Sequence, residues 1–353
     1  MTSIKSEILI DANILRKNIK SIKNKLQKKS KFMAVIKSDA YGHNLSSIVK
    51  DIDNLVDGYG VVRIEEAMEI RKKSKKKVLL MQGIYSEDEY ILSKNQKLDL
   101  VIHNNNQFNL IKDEENHEMF WYKVNTGMNR LGFEIPDFIK IYEKYLTEKQ
   151  FTIMSHLASS NDKDNPANES QFKSFNDLSN KLNKNILKSI ANTGCIMNFP
   201  EFSMDWVRCG IGIYGGYLKD DQLETAMTLR SPIINIRSIK KGDKVGYDGR
   251  AVAKNDMKIA SVYLGYADGL PVTIKDGTSV MVNNQIAKVF GKVSMDLTTI
   301  DVTNIANCRI NDWCEFFSPK LPISNISKSN DLITYYFMTN IKSRVKKVYK
   351  SID

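Results

Sequence analysis

The stretch "KFMAVIKSDAYGH", Lys31 to His43, sets a lysine directly after a short apolar run. Phe32–Ile36 is bounded by charge and reads as a buried strand, Lys37 closes it, and Tyr41-Gly42-His43 lead into a helical pattern. Read alone, the stretch favours a lysine snorkelling out of a strand end. A desolvated lysine acting as nucleophile or base is the alternative.

Outward from this strand, apolar runs of the same kind recur: Tyr59–Val62, Val78–Met81, Leu98–Ile102, Met119–Val124, Phe151–Ser155 and Ile186–Ala191. An eighth falls at Gly210–Tyr214 or just before it. Amphipathic stretches such as "RIEEAMEIRKK" and "PDFIKIYEKYL" lie between them. Eight such units predict an α/β chain built on a (β/α)8 TIM-type barrel over residues 1–222, the first few residues being free to join the second domain. Residues 223–353 change texture to β-rich runs punctuated by Gly, Asp and Asn, a smaller, mainly-β domain with turns at Gly242-Asp243 and Asn283-Asn284. The tail "DLITYYFMTNIKSRVKKVY" reads as helical and is expected to pack back on the barrel.

Composition narrows the function classes. The 353 residues are 42% hydrophobic and 26% charged, as in an ordinary globular protein. No apolar stretch is long enough to span a membrane, and the N-terminus lacks a secretory pattern. Cys195, Cys209, Cys308 and Cys314 form no CxxC pair, so reduced thiols in a cytoplasm and no metal site are expected. The net charge of +11 is mostly lysine in solvated runs without interleaved aromatics, which argues against nucleic acid as a partner.

In a barrel of this kind, polar residues at strand C-termini converge on one face. Lys37, Lys123, Arg130, His156, Thr193, Arg208 and Gly210-Ile211 all fall there. Each has a plainer reading on its own: a satisfied core histidine, an arginine paired at a domain edge, a solvated turn. Together, a lysine, two arginines and a hydroxyl beside a glycine-flanked backbone describe a pocket for an anionic, phosphorylated aldehyde. Pyridoxal 5′-phosphate is the candidate cofactor, with Lys37 as its Schiff-base partner.

"AVIKSDAYGH", "KVNTGMNRLG", "SHLASS", "VRCGIGIYG", "VGYDG", "GYADGLP" and "GKVSMD", in that order across both predicted domains, resemble bacterial alanine racemase, a fold-type III pyridoxal-phosphate family. The resemblance runs nearly end to end. It implies that Lys37 carries the cofactor and is the base for the D-isomer, while Tyr247 is the base for the L-isomer, reaching across a homodimer interface. Tyr41, Thr193, Gly210, Ile211 and Tyr335 match phosphate holders, Thr193 standing where serine is usual. Arg208 matches the residue facing the pyridine nitrogen, with His156 beside it. Arg130 matches the arginine near the substrate carboxylate, and Lys123 a lysine often carbamylated to steady it. Met295 and Asp296 match a pair supplied by the partner chain, the methionine helping to hold substrate.

The implied activity is interconversion of L- and D-alanine for peptidoglycan. Departures are Asn125 for aspartate, Ser38-Asp39 for Ala-Asn, Ser294 for cysteine, Tyr336 for glutamate and Lys346 for proline; none removes a catalytic group. Three readings compete. A racemase of serine or lysine would share the scaffold. A barrel-type decarboxylase would be expected to face the pyridine nitrogen with an acid and to carry a catalytic cysteine. A pyridoxal-phosphate carrier would be a single barrel.

Overall fold

The computed structural model describes residues 5–27, 29–218 and 222–351. The chain divides into two compact units, one formed by Arg16–Ala40 and Asn44–Ile213, the other by the stretch up to Leu15, Tyr41–His43 and the chain from Tyr214 on.

The strands, in chain order, begin with β1 (Glu7–Asp11), β2 (Lys31–Val35), β3 (Gly58–Val61), β4 (Lys77–Leu80), β5 (Asp99–Ile102) and β6 (Phe120–Lys123). There follow β7 (Thr152–Met154), β8 (Leu187–Ser189), β9 (Trp206–Cys209) and the long β10 (Met227–Ile239). In the first unit β2 to β9 make a parallel sheet in the order β8-β7-β6-β5-β4-β3-β2-β9. This is a TIM-type barrel. Strands β3, β5 and β6 are buried at every residue, which is why they read as continuous apolar runs rather than alternating ones. The seam between β8 and β9 is bridged by the Arg208 N–H to the Ala191 carbonyl (2.9 Å) and by Ser189 Oγ to the Trp206 carbonyl (2.8 Å). Met33, Leu79, Val101, Trp121, Met154 and Trp206 fill the interior. The eighth strand is therefore the segment before Gly210; Ile211–Tyr214 form a single 3-10 turn.

The second unit adds β11 (Lys244–Val245), β12 (Ala251–Val252), β13 (Met257–Val262), β14 (Ser279–Val282), β15 (Gln285–Val289), β16 (Thr298–Asp301), β17 (Trp313–Phe317) and β18 (Lys346–Lys350). Its main sheet runs β13-β16-β15-β14-β17-β10-β1-β18, and β13 pairs back to β10, so six strands close on themselves. Strand β10 does this by changing neighbours at Pro232-Ile233: its first half pairs with β17 and its second with β13. Asn283 and Asn284 join β14 to β15 with φ of 50° and 59°, the pair of positive values that a type I′ hairpin turn requires.

The tail departs from the helical expectation. Only Thr334–Thr339 is helical; Lys346–Lys350 is an edge strand lying parallel to β1. The alternating, lysine-rich end "KKVYK" suits an edge, where charge discourages further pairing. No helix among the described residues is long and apolar enough to cross a membrane.

Candidate active site

Lys37 leaves β2 into an unusual turn. Ser38, Asp39, Ala40 and Tyr41 all have φ between 53° and 55°. A left-handed turn of non-glycine residues costs on the order of 1–2 kcal/mol per residue. Side chains hold it: Glu66 Oε1 accepts the Asp39 N–H (3.2 Å), and Asp39 Oδ1 accepts the Leu45 N–H (2.8 Å). Burial lowers the Lys37 ammonium below its ordinary pKa, and the Arg130 charge lowers it further against the pull of Glu66. A larger neutral fraction makes the amine more nucleophilic.

Arg208, 2% exposed, is the most deeply set cation of the barrel mouth. Its Nη1 donates to Ser189 Oγ (2.5 Å), and its Nη2 to the Ser155 carbonyl (2.5 Å) and to His156 Nδ1 (3.3 Å). Its Nε–H is buried with no partner among the described residues. Burial lowers its pKa to about 10, which still leaves it charged at neutrality. His156 is pushed well below its ordinary pKa by burial and then by Arg208, Lys123, Arg130 and Lys37, so its ring is neutral.

Lys123, at the end of β6, is 6% exposed, and burial lowers it to about 8. The charges acting on it, Arg208, Arg130 and Lys37, are all positive. The lysines, arginines and histidine singled out in the sequence thus share one face of the barrel, an electropositive one.

Beside them stands a cradle of small residues. Thr193 Oγ1 accepts the Gly210 N–H (3.2 Å). A Cβ on Gly212 would lie 2.8 Å from Thr193 Cγ2, so the backbone approaches the threonine as closely as only glycine allows.

Sequence reasoning missed the braces behind these groups. Gln171, 2% exposed, donates to Thr126 Oγ1 (3.2 Å) and to the His156 carbonyl (3.1 Å), and accepts the Ala158 N–H (2.9 Å). Thr126 in turn meets Ser155 Oγ (2.7 Å), whose carbonyl receives Arg208. A buried glutamine on the helix Ala167–Ser179 carries no motif that would have marked it.

The remaining predicted site residues belong to the other unit. Tyr41 and Tyr335 come together there, ring centroids 5.7 Å apart. Tyr247 is 66% and Met295 53% exposed, and Tyr247 lines a groove of about 730 Å³ with Tyr266, Leu270, Val272, Lys292 and Tyr336. Asp296 is held by Arg344 Nη2 at 2.7 Å, and Arg344 Nε also reaches Asp268 (3.0 Å).

The family profile of the alanine racemase N-terminal domain matches residues 10–218, and that of the alanine racemase C-terminal domain residues 226–349. The chain belongs to the alanine racemase family. It is 34% identical to the alanine racemase of Alteromonas mediterranea, covering 99% of both chains. The alanine racemase of Acinetobacter baumannii superposes with a TM-score of 0.93 at 29% identity, over 99% of this chain and all of that one. That of Bartonella henselae, solved with covalently bound pyridoxal phosphate, shares the fold at 24% identity, with a TM-score of 0.88 over 99% of this chain and 100% of that one.

Two of the departures read from the sequence, Asn125 and Lys346, have local accommodations. Asn125 accepts the Gly127 and Asn129 N–H groups as a carboxylate would, and its amide adds a donor bond to Glu134 (2.9 Å) that aspartate lacks. Lys346, in place of proline, supplies an N–H to the Ser6 carbonyl (3.0 Å).

Proposed function

We propose that the protein interconverts L- and D-alanine using pyridoxal 5′-phosphate attached at Lys37, works as a homodimer in the cytoplasm, and supplies D-alanine for peptidoglycan. The observation that carries the cofactor assignment is the buried Nε–H of Arg208, without a partner among the described residues, set beside Lys123, Arg130 and Lys37, whose positive charges act on one another. That set fits a planar ligand bearing a phosphate and an acceptor nitrogen.

Thr193, Gly210 and Ile211 would hold the phosphate, a role that the family resemblance extends to Tyr41 and Tyr335. Arg208 would face the ring nitrogen through Nε, and Arg130 the substrate carboxylate, steadied by a carbamylated Lys123. Met295 would help seat the substrate, with Asp296 beside it. When bound, the cofactor supplies a conjugated ring that withdraws electrons from the Cα–H bond of the attached amino acid.

The protein's own residues then have three tasks. Lys37 and Tyr247 hold and move the proton, one on each face of Cα, so that removal on one face and return on the other inverts the centre. Arg208, charged up to a pKa of about 10, donates a hydrogen bond without giving up its proton. By keeping its own proton, Arg208 would leave the ring nitrogen unprotonated and so favour return of the proton to Cα over side reactions. His156, neutral, supports Arg208 without adding charge. An arginine at this position disfavours a decarboxylase, which would be expected to have an acid there.

The exposure of Tyr247 and Met295 supports their service to a second chain's Lys37. The test is incubation of the cofactor-loaded protein with L-alanine in deuterated water, read by chiral separation and mass spectrometry. Deuterated D-alanine without pyruvate or carbon dioxide is expected. A bound cofactor with no D-alanine formed would overturn the assignment, and full activity in a verified monomer would overturn the shared site.

A further inference from the structure

Tyr247 sits on a turn that is strained just after it, at Asp248, and gripped from one side. Gly246, Asp248 and Gly249 have φ of 74°, 60° and 56°, leaving the tyrosine on a left-handed corner. An exposed ion pair, Asp248 Oδ2 to Lys292 Nζ at 2.9 Å, is a weak tether. A firmer one is centred on Arg250. Its Nη2 reaches the Ile274 carbonyl (3.1 Å), Asp276 Oδ1 (2.9 Å) and the Gly291 carbonyl (2.9 Å). Asp276 Oδ1 also accepts the Gly291 N–H at 2.7 Å.

Arg250 and Asp276 therefore hold the N–H and the carbonyl of one residue, Gly291. Gly291 packs against the strand that leads into Tyr247: a Cβ there, at φ 102°, would stand 3.2 Å from the Val245 carbonyl. Further along, the same segment presents Met295, whose carbonyl accepts the Ala267 N–H (2.9 Å).

We propose that Arg250 and Asp276 form a clasp on Gly291 that positions Tyr247 for proton transfer and fixes its spacing from Met295. Arg250 is a positioning residue; it acts through the tyrosine, and the inference rests on the reading of Tyr247 as the base for L-alanine. Displacing a transfer group by about 1 Å is enough to slow its step about a hundredfold. Lysine at the same place would keep the charge but not the planar guanidinium that sets Nη2 among its three acceptors.

The experiment uses the holoenzyme. Racemisation itself does not separate the two faces, because the enantiomers have equal free energy and kcat/KM must match in both directions. Deuterium washed into recovered, uninverted substrate does separate them. Arg250→Ala is expected to reduce wash-in to L-alanine by about ten- to a hundredfold, with wash-in to D-alanine through Lys37 much less affected. Arg250→Lys and Asp276→Asn should fall between Arg250→Ala and the parent. Tyr247→Phe serves as the reference for a lost L-face base.

Equal loss for both enantiomers in the Arg250 and Asp276 variants, or loss for neither, overturns the clasp while Tyr247→Phe remains asymmetric. A symmetric Tyr247→Phe overturns the base assignment and the clasp with it. If Arg250→Ala does not fold, Asp276→Asn, which keeps an acceptor for Gly291, tests the same asymmetry by the same wash-in.

Discussion

His156 Nδ1 stands 3.3 Å from Arg208 Nη2. A guanidinium only donates, so Nδ1 accepts, and the neutral imidazole carries its proton on Nε2. Burial and the surrounding cations hold the ring well below its ordinary pKa. The unfolded chain takes up a proton near pH ~6.5 that folded His156 refuses, so the unfolded state binds more protons below that point. This residue's contribution therefore lowers stability as pH falls below ~6.5. His156→Gln should flatten that part of the urea-midpoint profile, and the ring's nitrogen resonances should not titrate between about pH 5 and 8. A histidine titrating at its ordinary value would contradict the geometry.

Arg208→Lys keeps the charge and removes the fork. Ser189 Oγ and the Ser155 carbonyl then lose their buried donor, at about 1–3 kcal/mol for each group left unsatisfied. A lower melting temperature is expected, together with weaker cofactor binding measured by the bound cofactor's visible absorbance. Unchanged binding would mean that the unpartnered Nε–H does not face the ring.

The barrel was legible because most of its strands are buried on both faces and read as unbroken apolar runs, while Asn283-Asn284 announced a turn by its chemistry. The left-handed run Ser38–Tyr41 was not. Its residues have ordinary helical or turn preferences, and the conformation is imposed from outside by Glu66 and by Asp39's bond to Leu45. The site's charged groups were legible as residue types at strand ends. Gln171 and Ser189 were not, since a hydrogen-bonding partner leaves no periodicity or spacing to find. The final strand was hidden for a related reason: β18 forms because β1 offers an edge, a fact of tertiary pairing.

Lys123 ties stability to pH in the same direction as His156, but over a higher range. Its folded pKa of about 8 lies below the 10.5 of a free lysine, so between those values the unfolded chain binds more protons and stability rises with pH. Below pH ~8 the full penalty for a buried ammonium applies, up to about 3 kcal/mol. Lys123→Met should therefore be more stable than the parent at pH 7 in carbon-dioxide-free buffer, with the advantage closing by pH ~10. Bicarbonate should narrow the gap by carbamylating the neutral amine, visible as a labelled carbonyl resonance absent from the variant. A gap that is constant with pH would mean the amine is not desolvated.

The contact between Gly212 and Thr193 can be tested by removing and then restoring space. A Cβ on Gly212 would meet Thr193 Cγ2 at 2.8 Å and Ile22 Cδ1 at 3.0 Å. Ile22 ends in a flexible methyl, but Thr193 is β-branched and its hydroxyl accepts the Gly210 N–H, so it has little freedom to turn. Gly212→Ala should cost about 1–3 kcal/mol and weaken cofactor binding by displacing the hydroxyl. Thr193→Ser removes the obstructing methyl and keeps the oxygen. In the Gly212→Ala background it should recover both stability and cofactor affinity, although alone it does little. Failure of that rescue would show that the backbone, and not the threonine methyl, limits what residue 212 can be.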